Sequence, residues 1–414
     1  MFYGWYVVAG AFVVAVWGWG FGFYGTGVYL ASLRAFHGWP TMAVSWAITL
    51  YYVCAATWTM FVGDVIDRFG PRRVVLAGAA AMGSGVALLA SVQAPWHAFP
   101  AFVVMSFGWA AMSVSAINAI VAPWFGNRRG LAISLALNGS STGGVLVTPL
   151  LILLVTTYGF RHGLHAAVAI MAVVMIPVVI VLKRPPDAIL CPDPDGRLPR
   201  ANLGRRPRWS RRALLRDRRF LTIAIPFALG LLAQVGFLTH QLSYLLQFAD
   251  ARSAALVVSA TTAAAVVGRT LTGLAIENLD RRIVSAANFG LQAGALAMLL
   301  PARSAPLIYA GCVLFGLGVG NVITLPSLIV QREFPDEDFS RIVSLVGSVN
   351  QYTFALGPAI LGALRDVSGD YRTSLLLCAG LFVAAAIVVL SGRGGRAEAR
   401  RGHRRRTPMS EHVA

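Results

Sequence analysis

The residue with the most chemistry to offer is Arg269, a cation set inside the apolar run 253–276, roughly 6 Å from its middle at 1.5 Å rise per residue. A charged side chain at that depth in hydrocarbon costs on the order of 3 kcal/mol. No acidic residue lies within one helical turn of it, so a bound carboxylate, held by both arms of the guanidinium, is its natural counter-ion. The competing reading is an arginine that bonds backbone carbonyls or reaches to the membrane surface and only fixes packing. An unpaired arginine also suggests a mechanism: an empty cavity leaves its charge uncompensated, whereas a bound anion neutralises it before the cavity closes.

Other polar side chains fall inside apolar runs. His240, followed by Gln241, Ser243 and Tyr244, can bind a ligand or carry a proton, since an unperturbed imidazole titrates near 6.5; a hydrogen-bonded packing histidine is the plainer alternative. Tyr24, Ser113, Asn118, Asn321 and Tyr352 are candidate cavity-lining groups, with Tyr24 and Asn321 set among glycines. Interhelical hydrogen bonding alone also explains such residues, because polar groups in lipid must find partners. The run 139–144 is glycine-rich but lacks the Lys-Ser/Thr that completes a phosphate loop. Cys54, Cys191, Cys312 and Cys378 have no metal-ligand spacing. With no nucleophile beside a base, no metal cluster and no cofactor motif, neither an enzyme nor a cofactor is expected. Trp5, Trp39, Trp96 and Trp124 fall near the ends of runs as interfacial anchors, while Trp17, Trp19, Trp46, Trp58 and Trp109 lie deeper, where they pack or line an apolar pocket.

The elements that must position these residues are membrane helices. Of the chain, 57% is hydrophobic and only 13% charged, with a mean hydropathy of +0.67, which no soluble domain needs. Twelve runs meet the ~20-residue length for crossing a bilayer: 6–31, 41–62, 73–92, 96–122, 128–155 and 163–181, then 220–246, 253–276, 283–301, 306–330, 342–364 and 374–390. The first has no basic stretch before it and is longer than a signal-peptide core, so it reads as a retained span. The organisation expected is an N-terminal six-helix lobe over 1–182, a linker over 183–219, a second six-helix lobe over 220–391 and a basic tail over 392–414.

The formal charge of +18 belongs to membrane topology and not to nucleic-acid binding, because the arginines sit between spans and in the tail. Alternate loops hold Arg68, Arg72, Arg73, Arg128, Arg129, the linker cluster, Arg281, Arg282, Arg332, Arg341 and the tail, against few arginines on the other side. The positive-inside rule then puts both termini in the cytoplasm of a multi-pass protein of the bacterial inner membrane, with linker and tail drawn to anionic lipid. A monomer is expected.

Gly63, Asp67, Arg68, Gly70, Arg72 and Arg73 follow the second span, and Gly273, Glu277, Arg281 and Arg282 repeat the pattern after the eighth. This loop resembles the G-x-x-x-D-R-x-G-x-R-R signature of the major facilitator superfamily, and its return at the half-repeat position makes the match specific. The resemblance implies an all-α membrane fold of twelve transmembrane helices in two six-helix lobes, a midplane site between them, and a conformational gate. Its members here would be Gly63, Asp67, Arg68, Arg128, Arg129 and Glu277.

Further segments are similar to the monocarboxylate transporter and oxalate:formate antiporter branch: Gly4-Trp5-Tyr6-Val7-Val8, Phe36-His37-Gly38-Trp39-Pro40, Trp124-Phe125-Gly126-Asn127-Arg128-Arg129-Gly130, Gly268-Arg269 and Gly357-Pro358. They imply alternating-access transport of a small organic anion, a monocarboxylate bound by Arg269, with a coupling proton or counter-substrate. The chain departs from that branch where Ala265 replaces the aspartate paired with the arginine, where Phe23 occupies the place of a first-span lysine, and where 342–364 holds no lysine. The usual proton relay is therefore missing, and exchange or anion-dependent uniport fits better than proton symport. Two alternatives are a multidrug proton antiporter, which would accommodate Arg269 poorly, and a non-transporting membrane sensor that keeps the fold.

Overall fold

The computed structural model describes residues 2–125, 129–183, 211–276, 279–301, 304–335 and 338–393, which are helical throughout apart from short connections. The first lobe holds α1 (Gly4–His37), α2 (Thr41–Phe69), α3 (Pro71–Leu89) and α4 (Pro95–Trp124). A continuous stretch, Arg129–Val181, turns at Gly159 and so supplies α5 before it and α6 after it. The second lobe holds α7 (Arg218–Leu245), α8 (Ala251–Ala275), α9 (Arg281–Leu299), α10 (Ala305–Glu333), α11 and α12 (Arg372–Ser391), where α11 comprises Phe339–Ala355 and Gly357–Ser368. Most of the linker and the tail from residue 394 onward lie outside the described residues; within the linker a four-residue helix, Arg211–Leu214, is described.

Several helices outrun the apolar segments that announce them. At 29 residues, α2 is about 43 Å long at 1.5 Å per residue, so its ends project past the hydrocarbon. The boundaries follow local chemistry. Gly70 takes φ 86° and hands the chain directly to Pro71 at the first position of α3, where a missing N–H costs nothing. Asp217, Asp250 and Asp280 each accept backbone N–H bonds as the caps of α7, α8 and α9, a contribution of ~1 kcal/mol apiece.

Glycines set the closest crossings. A Cβ at Gly139 or Gly143 of α5 would strike the carbonyls of Phe12 and Val16 on α1, and one at Gly316 of α10 or Gly268 of α8 would strike those of Thr261 and Leu317. Close backbone approach replaces the hydrophobic drive that is absent between helices in lipid. The outer faces are apolar and exposed, as at Leu146, Val173 and Ile387. Trp46 and Trp58, which the sequence places deep enough to line a pocket, belong to this lipid-facing surface at 45% and 46% exposure, whereas Trp17, Trp19 and Trp109 are buried. Depth along a helix is legible from sequence, but the face is not when both faces are apolar.

The lobes meet through α1 against α7, α2 against α11 and α5 against α8. Their polar contacts gather at the end opposite the chain termini. There Asp366 accepts the Met42 N–H at 2.7 Å, and Thr49 accepts the Ala359 N–H at 3.2 Å. Gly27 of α1 also lies against the Leu238 and Thr239 carbonyls. The hydrogen-bonded series ends near the middle, where Thr57 meets Tyr352 at 3.4 Å.

Candidate functional site

Arg269 sits between the lobes. Its neighbour on α10 is Gly320, where an added Cβ would lie 2.8 Å from Nε, so the missing side chain is what makes room for the guanidinium. Side chains on a helix lean toward its N-terminus, which carries the group from the terminal half of α8 toward mid-membrane. Its Nε is buried with no hydrogen-bond acceptor, and among the described residues no acid pairs with it. Tyr24, on the opposite lobe, lies within electrostatic range of it. Tyr24 has its own cradle: a Cβ at Gly144 of α5 would lie 2.8 Å from the Tyr24 ring and collide with Thr262.

Three helices of the two lobes, α1, α4 and α11, are irregular within their length. In α1, residues Gly20–Tyr24 form a π-helical turn, a feature concentrated at functional sites. The turn swings Phe23 and Tyr24 together, with ring centroids 5.1 Å apart. In α4 the helix breaks after Ala111 and restarts at Val114, capped by Ser113 accepting the Ala116 N–H. In α11 it breaks at Leu356. Broken helices at membrane depth are tolerated where they are buried in protein or line a cavity.

What this arrangement can do chemically is bind an anion. A guanidinium paired with no acid among the described residues, and a phenol within its electrostatic range, offer donors for one carboxylate. Nothing in the cradle resembles a nucleophile with its base, and no metal-ligating cluster occurs among the described residues.

The family profile of the Major Facilitator Superfamily matches residues 10–249 and 242–411. The chain belongs to the major facilitator superfamily. Relatives in it include Monocarboxylate transporter 11 of Mus musculus, 26% identical over 412 residues covering 94% of this chain and 87% of that protein. A riboflavin transporter of Saccharomyces cerevisiae is 23% identical, covering 84% and 70%. In fold, the chain is similar to a bacterial homologue of the lysosomal transporter Spinster, solved inward-facing and occupied. That likeness has a TM-score of 0.76 at 12% identity, over 94% of this chain and 96% of that one. A nucleoside transporter superposes with a TM-score of 0.72 at 12% identity, covering 95% and 100%.

With superfamily membership established, the remaining candidates fall into place by position. His240 is not near Arg269. It lies in the interlobe seal, where Nε2 faces the Pro358 carbonyl at 3.0 Å and Ser45 Oγ at 3.4 Å, and Nδ1 faces Tyr371 Oη at 3.2 Å. The carbonyl can only accept, so Nε2 carries a proton, and in the neutral ring Nδ1 then accepts from Tyr371. Both ring nitrogens are committed. Asn321 is turned into the second lobe, its amide donating to Asn288 at 3.0 Å, one residue away from the face that Gly320 presents to Arg269. Tyr352 bridges the lobes to Thr57. Asn118 is partly buried with Oδ1 unbonded, and Ser113 is committed to its cap.

Of the signature loop, Asp67 and Arg68 are exposed at the end of α2, and the Arg68 guanidinium lies 5.3 Å from the Phe69 ring centroid. A Cβ at Gly63 would meet nothing within 4 Å. No helix therefore packs closely on Gly63 in this conformation, whose interlobe bonds lie at the other end. Arg128 and Glu277 lie outside the described residues, as does the side chain of Arg129, the first residue of α5.

The half-repeat holds an ion pair that sequence reasoning missed. Arg282 is fully buried, forms a two-pronged bond to both Glu333 carboxylate oxygens at 2.8 Å, and donates to the Thr222 and Val389 carbonyls at 3.1 and 2.9 Å. It ties α7, α9, α10 and α12 at one point. The available signal was an acid at the end of α10 level with the start of α9.

Proposed function

We propose that this chain carries a small organic anion, a monocarboxylate, across the membrane by alternating access, with Arg269 binding the carboxylate and Tyr24 assisting from the opposite lobe. The observation that carries the reading is the guanidinium between the lobes with no acid paired to it among the described residues. A cation in that position, cut off from counter-charge, is costly unless a guest supplies one. A cationic drug would add repulsion to that cost.

Because Arg269 and Tyr24 come from different lobes, an anion bound between them draws both lobes onto itself, so lobe movement depends on loading. That favours exchange or anion-driven uniport. With the termini in the cytoplasm, the sealed end faces outward and the site opens inward, and the protein resides in the bacterial inner membrane. The named transport of monocarboxylates by a relative at 26% identity and the similarity to the branch quoted above support the substrate class.

Uptake into proteoliposomes tests the reading. Counterflow of radiolabelled short-chain monocarboxylates is expected with wild-type protein, at least ~30-fold lower with Arg269→Gln, and without any requirement for a proton gradient. That factor corresponds to losing about 2 kcal/mol of charge-assisted bonding. Unimpaired counterflow by Arg269→Gln would remove the carboxylate contact from the mechanism.

A further inference from the structure

The anion reading leaves open what the rest of the guest is, and the wall next to Tyr24 speaks to it. Phe23 stacks over Trp109 with ring planes 21° apart and centroids 6.1 Å apart. Trp109 packs on Trp19 at 4.9 Å, Phe23 lies 6.5 Å from Tyr52, and Tyr52 meets Phe354 edge-on at 5.4 Å. The rings come from α1, α2, α4 and α11, and three of those four helices are broken or π-bulged beside them.

The series is not a closed core. Trp19, Tyr52 and Trp109 are buried, but Phe23, Tyr24 and Phe354 keep part of their surface open. Phe23 and Phe354 come from opposite lobes, and Phe23 packs directly on the Tyr24 ring. Trp109 itself, 6% exposed, has an indole N–H with no acceptor among the described residues. Open ring edges and faces of this kind favour a flat π-system over a saturated body.

From this juxtaposition we infer that the carried anion is an aryl carboxylate, its acid group on Arg269 and Tyr24 and its ring set among Phe23, Phe354 and the Trp109 indole. The inference rests on the anion reading for the carboxylate end and adds the ring. A small aliphatic acid would fill the charged end and leave the aromatic wall unused.

Binding of phenylacetate, cyclohexylacetate and phenylacetamide to the purified full chain in detergent, by calorimetry, tests it. The two acids have the same charge and length, and the cyclohexyl ring is the bulkier hydrophobe, so a merely apolar slot would favour cyclohexylacetate. Phenylacetate is expected to bind about five- to tenfold more tightly, and Phe23→Leu is expected to erase that preference while cyclohexylacetate affinity stays within about twofold. Equal or tighter binding of cyclohexylacetate overturns the inference, as does failure of both ring acids to bind. The anion reading has its own arm: phenylacetamide binding as tightly as phenylacetate would defeat Arg269 as the carboxylate site, whatever the ring preference proves to be.

Discussion

Thr49 offers a clean way to weaken the interlobe seal. Its side chain is 3% exposed, and its hydroxyl accepts the Ala359 N–H at 3.2 Å. That N–H belongs to the first turn of Gly357–Ser368, where the preceding break leaves backbone donors without intrahelical partners. Thr49→Val keeps the shape and removes the acceptor, so in the sealed state a buried N–H is orphaned, at a cost of ~1–3 kcal/mol. With the seal open the same N–H meets water and the cost disappears. The sealed-to-open ratio is therefore expected to fall by about 5- to 150-fold, since each 1.4 kcal/mol is a factor of ten. Spin labels at Gln93 and Gln247, exposed positions on opposite lobes at that end, would report the shift as a longer distance population by pulsed electron resonance in a cysteine-free background. Thr49→Ser keeps the hydroxyl and is expected to leave the distribution near wild type. An unchanged distribution in Thr49→Val, or an equal shift in both variants, would refute the reasoning.

Other perturbations give equally definite outcomes. Glu333→Gln leaves the buried Arg282 without its counter-charge and is expected to cost about 3–5 kcal/mol, read as a loss of thermal stability that Arg282→Met combined with Glu333→Leu largely restores. Gly316→Val pushes α10 off the Thr261 carbonyl of α8 and is expected to lower the melting temperature far more than Gly380→Val, whose added Cβ meets nothing. Asp366→Asn removes a carboxylate from the N-terminus of α2, worth about 0.3–1 kcal/mol, and should shift the Gln93 to Gln247 distances in the same direction as Thr49→Val but by less.

The fold was almost wholly legible because hydrophobic length is a strong signal and lipid permits few architectures. The twelve spans and their grouping into two lobes could be read directly, whereas the helix end at Phe69, seven residues past the second apolar run, could not. Arg269 was legible for the same reason, a charge standing out against an apolar run. What escaped depends on which way a side chain faces. Tyr24 and Asn321 both sit among glycines, yet one faces Arg269 while the other bonds to Asn288 inside its own lobe. His240 reads in sequence as a ligand, a proton carrier or a hydrogen-bonded packing residue, and its partners Pro358 and Tyr371, 118 and 131 positions away, carry no sequence signal. The π-helical turn at Gly20–Tyr24 has no pattern of its own beyond the glycine run, because an extra residue in a helical turn shifts register without altering composition.

The central claim concerns one pair of charges, and a thermodynamic cycle isolates it. Affinities of phenylacetate and phenylacetamide, each measured on wild type and on Arg269→Gln, give the coupling between the guanidinium and the carboxylate. A coupling of about 2–4 kcal/mol, with the acid losing roughly 30- to 1,000-fold on mutation and the amide nearly unaffected, is the expected result. Equal losses for acid and amide, and hence no coupling, would contradict it.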